Sequence, residues 1–291
     1  MHDSSSLRYS WGSLFIQLCC IDSVNKKMNG REMDDTPTVS DTISAHAELL
    51  IGSYKLKLNL VVPTGEVPPE SLMPTLRELC NQVADGVVQI AQDNGNEISC
   101  KQGCGACCRQ YVPISPAEAR LMVALVEELP EPRRSIIKKR FEEAVQRFKE
   151  SEVVESAMDY NRLPVVERLK MVKDYFQLGI ACPFLENESC SIYADRPLIC
   201  REYLVISSPR HCAALDEDQI ERLKLPVSVA QTFSNMEGAR RKGVNPCLPL
   251  IMALEWTADH PDDCESLPGP RWVQYIFEDL SGAKIPDPDL A

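Results

Sequence analysis

The chain has 291 residues, 44% of them apolar, and a formal net charge of −12. That length buries a sizeable core without covalent staples, and the acidic balance argues against nucleic acid or an anionic membrane face as the main partner. No apolar run reaches the ~20 residues of a spanning helix, so the 13 cysteines need a reason other than holding a small fold together.

Residues 1–45 are polar and rich in Ser, Asp and Thr, and they read as a disordered N-terminal arm. Met28 and Met33 inside it offer alternative starts. The run Trp11–Ile21 is short, has no basic leader and no small-residue cleavage site, and is not read as a signal peptide. Cys19 and Cys20 read as free thiols in that arm. A cytoplasmic chain is therefore expected, in a reducing compartment where clustered thiols mean metal or redox chemistry before disulfides. Residues 46–291 read as a single cysteine-cluster domain, with a motif core at 100–212 and a helical C-terminal extension at 213–291.

In Leu49–Val62, Leu56, Leu58 and Leu60 alternate with Lys57 and Asn59, which predicts a strand ended by Pro63. From Ser71, a candidate cap, a helical stripe runs through Leu72, Leu76, Leu79, Val83, Val87 and Ile90, with Gly95 past its end. Cys80 lies on this stripe and reads as a small core residue. Ser115-Pro116-Ala117-Glu118 is a capping box with Pro at the first helical position. It opens a helix with Leu121, Met122, Leu125, Val126 and Leu129 on one face. A second helix carries Ile137, Phe141, Ala144, Val145 and Phe148; its RRSIIKKR start reads as a solvated face. A third spans about 164–178 with Val165, Leu169, Val172 and Phe176 inward.

Residues 182–212 hold turn formers and four cysteines, and predict little regular structure beyond a small hairpin turning at Glu186–Ser189. Helices are expected again near 216–223, 247–257 and 271–280, the last packing Trp272, Val273, Ile276 and Leu280 into the core. The fold class expected is mainly α with a small β element, its helices packed around a cysteine-rich metal-binding core.

The cysteines fall as Cys100-x3-Cys104-x2-Cys107-Cys108, then Cys182, Cys190, Cys200 and Cys212. A C-x2-C step brings two thiolates to one ion from a tight turn, and Gly103 and Gly105 allow that turn. Zinc and cluster iron both take four soft ligands in a tetrahedron, and eight thiols suffice for two such sites. Adjacent side chains usually diverge, so Cys107 and Cys108 are expected to serve two centres, or two irons of one cluster. Lys101, Arg109, Arg196 and Arg201 neighbour the cysteines and would offset thiolate charge, Arg201 foremost. Disulfides and redox-active thiols are the competing readings of the set. Cys247 and Cys264 read as bystanders, and His211 as a surface imidazole.

The run GCGACCR, followed by CPFL, CSIYADRPLICREY and a final HC, resembles the YkgJ-type cysteine-cluster family, a bacterial family described as zinc- or iron-chelating. The resemblance spans about 100–212. Cys104, Cys107 and Cys108 match its first element; Cys182, Cys190 and Cys200, with Tyr193, Arg196, Pro197 and Arg201, match the second; Cys100 and Cys212 match more loosely. It implies bound zinc or iron, the iron alone or as an iron–sulfur cluster. Some relatives are protein lysine methylases, but no methylase-specific element is found here.

C-x3-C-x2-C is also the cluster motif of radical S-adenosylmethionine enzymes. That fold needs βα alternation, which does not follow here, and Ala106 stands where an aromatic is usual. No phosphate-binding or dinucleotide fingerprint occurs. Two function classes stay open: a structural, storage or delivery centre acting through a protein partner, and an iron–sulfur enzyme working in electron transfer or in protein or cofactor modification.

Overall fold

A computed structural model describes residues 15–22, 42–51, 54–241, 247–262, 264–282 and 284, with only the backbone for 15–22. Strands β1 (Phe15–Asp22), β2 (Thr42–Ile51) and β3 (Tyr54–Pro63) form one antiparallel sheet in that order. In β2, Ile43, Ala45, Ala47, Leu49 and Ile51 are buried, a period of two that puts these five side chains on one face, with Leu50 on the other. Register pairs Ala45 with Leu60 and Ala47 with Leu58, so β3 shares that buried face.

After β4 (Glu66–Val67), a 3-10 turn at Pro69–Leu72 leads into α1 (Met73–Asp93), which packs its expected stripe, Cys80 included, on the sheet. Next come β5 (Pro113–Ile114), α2 (Pro116–Glu128), α3 (Arg133–Lys149), α4 (Val154–Met158) and α5 (Val165–Gln177). The hairpin β6 (Leu185–Glu186) and β7 (Ser189–Cys190) is followed by the short helices α6 (Leu198–Glu202) and α7 (Pro209–Ala214). The chain ends with α8 (Val229–Gly238), β8 (Leu248–Pro249), α9 (Ala253–Asp259), β9 (Leu267–Pro268) and α10 (Gly269–Ser281). The protein is mainly α, and every described strand pair is antiparallel. Among the described residues no helix is long and apolar enough to cross a membrane.

Two apolar clusters form the interior. The first joins the sheet, α1, α8 and α10 through residues such as Leu76, Phe233, Trp272 and Phe277. The second joins α2, α3, α5 and α9 through Met122, Phe141, Phe148, Tyr175 and Trp256. Helix α2 belongs to both, with Ala117 in the first and Ala119, Met122 and Val126 in the second. Each cluster is built mainly from apolar side chains; Cys80 belongs to the first, and Cys182 and Cys190 pack against the second.

Other expectations change. Leu49–Ile51 belong to β2, so the single strand expected over Leu49–Val62 is two. Within 1–45, Phe15–Asp22 and Thr42–Ala45 are strand, and the rest of the expected arm lies outside the described residues. Leu72, not Ser71, precedes α1, and no side chain caps it. In α5 the buried residues are Met171 and Tyr175, while Val165 and Leu169 are exposed. Tyr111 and Phe148 draw Tyr175 inward through edge-on ring contacts at 5.4 and 6.0 Å, and that packing rotates the helix. Residues 216–223 are not helical: Leu223 N–H donates to Leu204 O at 2.9 Å and Ile206 N–H to Glu221 O at 3.0 Å, so this stretch pairs with 204–206. Helix α8, begun by the Ser228 side chain accepting from Gln231 N–H, was not expected.

Candidate metal centre

The first cysteine segment is a series of tight turns. Cys104 N–H donates to Lys101 O (3.2 Å), Cys108 N–H to Gly105 O (3.0 Å) and Gln110 N–H to Cys107 O (3.0 Å). Gly103 supplies a φ of +94°, a backbone state that an L side chain rarely adopts. The second segment is the β6–β7 hairpin and α6. Asn187 and Glu188 take φ of 50° and 56°, the turn that a two-residue hairpin needs.

Three contacts bring the segments together. Cys182 N–H donates to Cys108 O at 2.7 Å. The Arg109 guanidinium forks onto the Glu188 carboxylate at 2.9 and 2.7 Å. Gly105 is buried against the hairpin so closely that a Cβ there would lie 2.6 Å from Glu188 O and 2.5 Å from Leu185 Cδ1. The hairpin in turn rests on α3. Arg140 donates to Pro183 O at 3.2 Å and Arg133 to Ser191 O at 3.3 Å, while Phe184 meets Phe141 edge-on. The RRSIIKKR stretch is thus partly a brace for the cysteine hairpin, which corrects its reading as a solvated face.

Two carboxylates fix α6, which carries Cys200. Glu118 completes the expected capping box and also accepts Leu198 N–H at 2.8 Å. Glu202 accepts from Ser228 Oγ at 2.6 Å and Ala230 N–H at 3.0 Å. Burial pushes both carboxyls above the usual carboxylate range.

The result is one cavity of about 130 Å³ walled by Cys100, Cys104, Cys107, Cys108, Cys182, Cys190 and Cys200. A water occupies roughly 10–15 Å³ on this measure, so more than one ion fits. Tyr111, Ile192, Ile199 and Leu250 supply apolar wall; Lys101 and Arg196 are its cations, and among the described residues no carboxylate faces it. Cys212 is buried just outside this wall, and the Tyr203 hydroxyl lies beside its thiol and Gln110 without a well-aligned hydrogen bond to either. Cys107 and Cys108 do not diverge: both face the cavity, and their thiols lie within hydrogen-bonding reach, because consecutive turns aim them the same way.

The donor set is all sulfur, which suits zinc, iron or an iron–sulfur cluster and not a hard cation. Burial pushes Cys100 up to about 11 and Cys182 to about 12, and raises Cys190, Cys200 and Cys212. The neighbouring Cys108 thiol and burial together raise Cys107 further. These thiols are neutral in water at neutral pH, and an ion must displace their protons to bind. Among the described residues, no three or more His, Cys, Asp or Glu groups are already set to hold one ion. Thiols are gathered here, not closed around a point.

Of the cations expected to offset thiolate charge, Arg196 lines the cavity, its guanidinium 3.8 Å from the Tyr193 ring centroid. Arg201 is used otherwise: it donates to Arg196 O (3.1 Å), Asn81 Oδ1 (3.0 Å) and Ala194 O, strapping the turn before α6. His211 stands 3.6 Å from Asp216, away from the cavity wall. Cys247 and Cys264 are also absent from that wall, and the side chains of Cys19 and Cys20 lie outside the described residues. Tyr111 and Tyr203 were missed as wall residues, although each stands within three positions of a motif cysteine.

No curated protein and no solved structure matches the chain. Residues 99–220 match the family model described as "CxxCxxCC: Putative zinc- or iron-chelating domain". The matched segment, 99–220, carries all eight motif cysteines.

Proposed function

We infer that the protein chelates zinc or iron in this cavity, with Cys100, Cys104, Cys107, Cys108, Cys182, Cys190, Cys200 and Cys212 as ligands, and acts as a metal-binding rather than a catalytic protein. The observation that carries the reading is the convergence of seven thiols, from two segments joined across 79 positions at Arg109–Glu188, on one cavity. Bound zinc would tie the segments together structurally, whereas an iron–sulfur cluster would add one-electron chemistry. In either case Arg196 and Lys101 offset part of the thiolate charge, and the apolar wall limits water. A cytoplasmic location and a protein partner go with this reading.

The iron–sulfur enzyme alternative gains nothing from the fold in its radical S-adenosylmethionine form, since that barrel is parallel and all strand pairs described here are antiparallel. The test is anaerobic purification of the full chain with zinc, iron and sulfide measured alongside the visible spectrum. Stoichiometric zinc or iron upholds the chelating role, and a coloured protein containing sulfide selects the cluster. A chain that takes up neither metal, loaded under reducing conditions, refutes it.

A further inference from the structure

A groove of about 830 Å³ runs between α3, α2 and α9. Val123 of α2, Phe141 and Val145 of α3, and Ile251 and Leu254 around the start of α9 give it an apolar floor. Among the described residues it shares no wall with the cysteine cavity. Two ion pairs frame it: Lys138 meets Glu127 at 2.6 Å, and Lys149 meets Glu255 at 2.7 Å. These lysines stand three turns apart on α3, about 16 Å at roughly 1.5 Å per residue. Glu142 and Glu150 on the same rim are exposed, and among the described residues neither is paired with a cation; Glu150 accepts only from Gln146 Nε2, at 3.2 Å. Thr257 Oγ1, also in the wall, has no hydrogen-bond partner among the described residues.

An apolar trough rimmed by free carboxylates matches an apolar stripe flanked by positive charge. An anionic amphiphile is disfavoured, since both rim lysines are already spent on Glu127 and Glu255. A second copy docked groove to groove would bring like charges against Glu142 and Glu150. We propose that this groove is the docking site for a basic amphipathic helix of a protein partner, its apolar stripe on Val123, Val145 and Leu254 and its lysine or arginine side chains on Glu142 and Glu150. The span between the two ion pairs suits about three turns of such a helix. Metal binding in the cysteine cavity is not required for it. Because α3 also braces the cysteine hairpin through Arg133 and Arg140, the partner would rest one helix away from the thiols.

The experiment uses the full chain and, as probe, a labelled helical peptide of about 14 residues made of leucine and lysine, with its leucines on one face. Fluorescence anisotropy is expected to show saturable binding. Glu142→Lys combined with Glu150→Lys weakens it at least about tenfold. Glu97→Lys combined with Glu265→Lys, at exposed positions outside the groove and with the same change in net charge, weakens it less than about twofold. Equal weakening by the two pairs overturns the groove as the site. So does equal binding of an isomer with its leucines scattered round the helix, or no binding at all. Should a variant fail to fold, hydrogen–deuterium exchange of the unmodified chain decides: the peptide protects 138–150 and 251–258, and protection confined to other segments overturns the assignment. Self-association of the chain that the Glu142 and Glu150 reversals alter would place a second copy in the groove and overturns the partner helix.

Discussion

The carbonyl of Cys108 accepts the amide of Cys182 at 2.7 Å, so the two cysteine segments are joined through backbone and not only through whatever their thiols bind. The cavity is therefore partly assembled by the fold before any ion arrives. That relationship, with Gly105 against Glu188 beside it, makes the seam between the segments testable without touching a thiol.

Gly105→Ala puts a methyl group 2.6 Å from Glu188 O, and a hairpin backbone cannot yield as a side chain would. We expect a loss of about 1–3 kcal/mol, the range for overpacking, together with reduced metal retention. Gly65→Ala, where nothing lies within 4 Å, serves as the control and leaves both unchanged. Urea unfolding and metal content of the two variants check this.

Glu118 is buried and accepts from Ser115 N–H and Leu198 N–H, and among the described residues no cation is bonded to it. Glu118→Ala leaves these donors unpaired and is expected to cost about 2–4 kcal/mol; Glu118→Gln, which keeps an acceptor for Leu198, costs less. Because burial raises this carboxyl in the folded state, its stabilisation is fully present below the ordinary carboxylate value of 4.5. It declines as pH rises through the folded value. The stability gap between the wild-type protein and Glu118→Gln should therefore narrow from pH 5 upward. Comparing the two proteins cancels the protonation of the thiols, and a gap that widens with pH refutes the sign.

Arg201 is 5% exposed and satisfies Arg196 O, Asn81 Oδ1 and Ala194 O. Arg201→Ala strands these acceptors and should cost about 3 kcal/mol. Arg201→Lys recovers little of this, since an ammonium lacks the planar fork. Chemical denaturation, read beside metal content, separates this positioning of the turn before α6 from direct charge neutralisation. The latter would let lysine restore metal binding.

Thiol alkylation with mass-spectrometric mapping provides a further check. Cys80 is 0% exposed and burial holds its thiol well above its usual range, so it should resist labelling until the chain unfolds. Zinc loading should protect the cavity cysteines, at least tenfold for Cys104 and Cys200, and leave the rate at Cys264 unchanged. Equal protection at Cys264 would point to a global effect instead of a site.

Features governed by local chemistry were legible in the sequence. The Ser115–Glu118 capping box, the turn at Asn187–Glu188 and the α1 stripe each depend on residues a few positions apart. Strand β2 was not legible because TISAHAELLI uses small and polar residues that blend into the preceding polar segment; its alternation matters only once β3 and α1 cover one face. In α5, two apolar stripes were available, and Tyr111 and Phe148 select the one through Tyr175. The gathering of the cysteines was readable from their spacing and family resemblance. The bracing by Arg133, Arg140, Glu118 and Glu202 was not, since each acts across long sequence distances.

The separation of the two segments also sets an order in time. At a synthesis rate of about 5–20 residues per second, the 79 positions between Arg109 and Glu188 take roughly 4–16 s to translate. Throughout that interval the four thiols of the first segment have no second segment to meet, while α2–α5 are still being made. A nascent chain in this state is open to stray copper or oxidants, so the reducing power of its surroundings matters most during its manufacture.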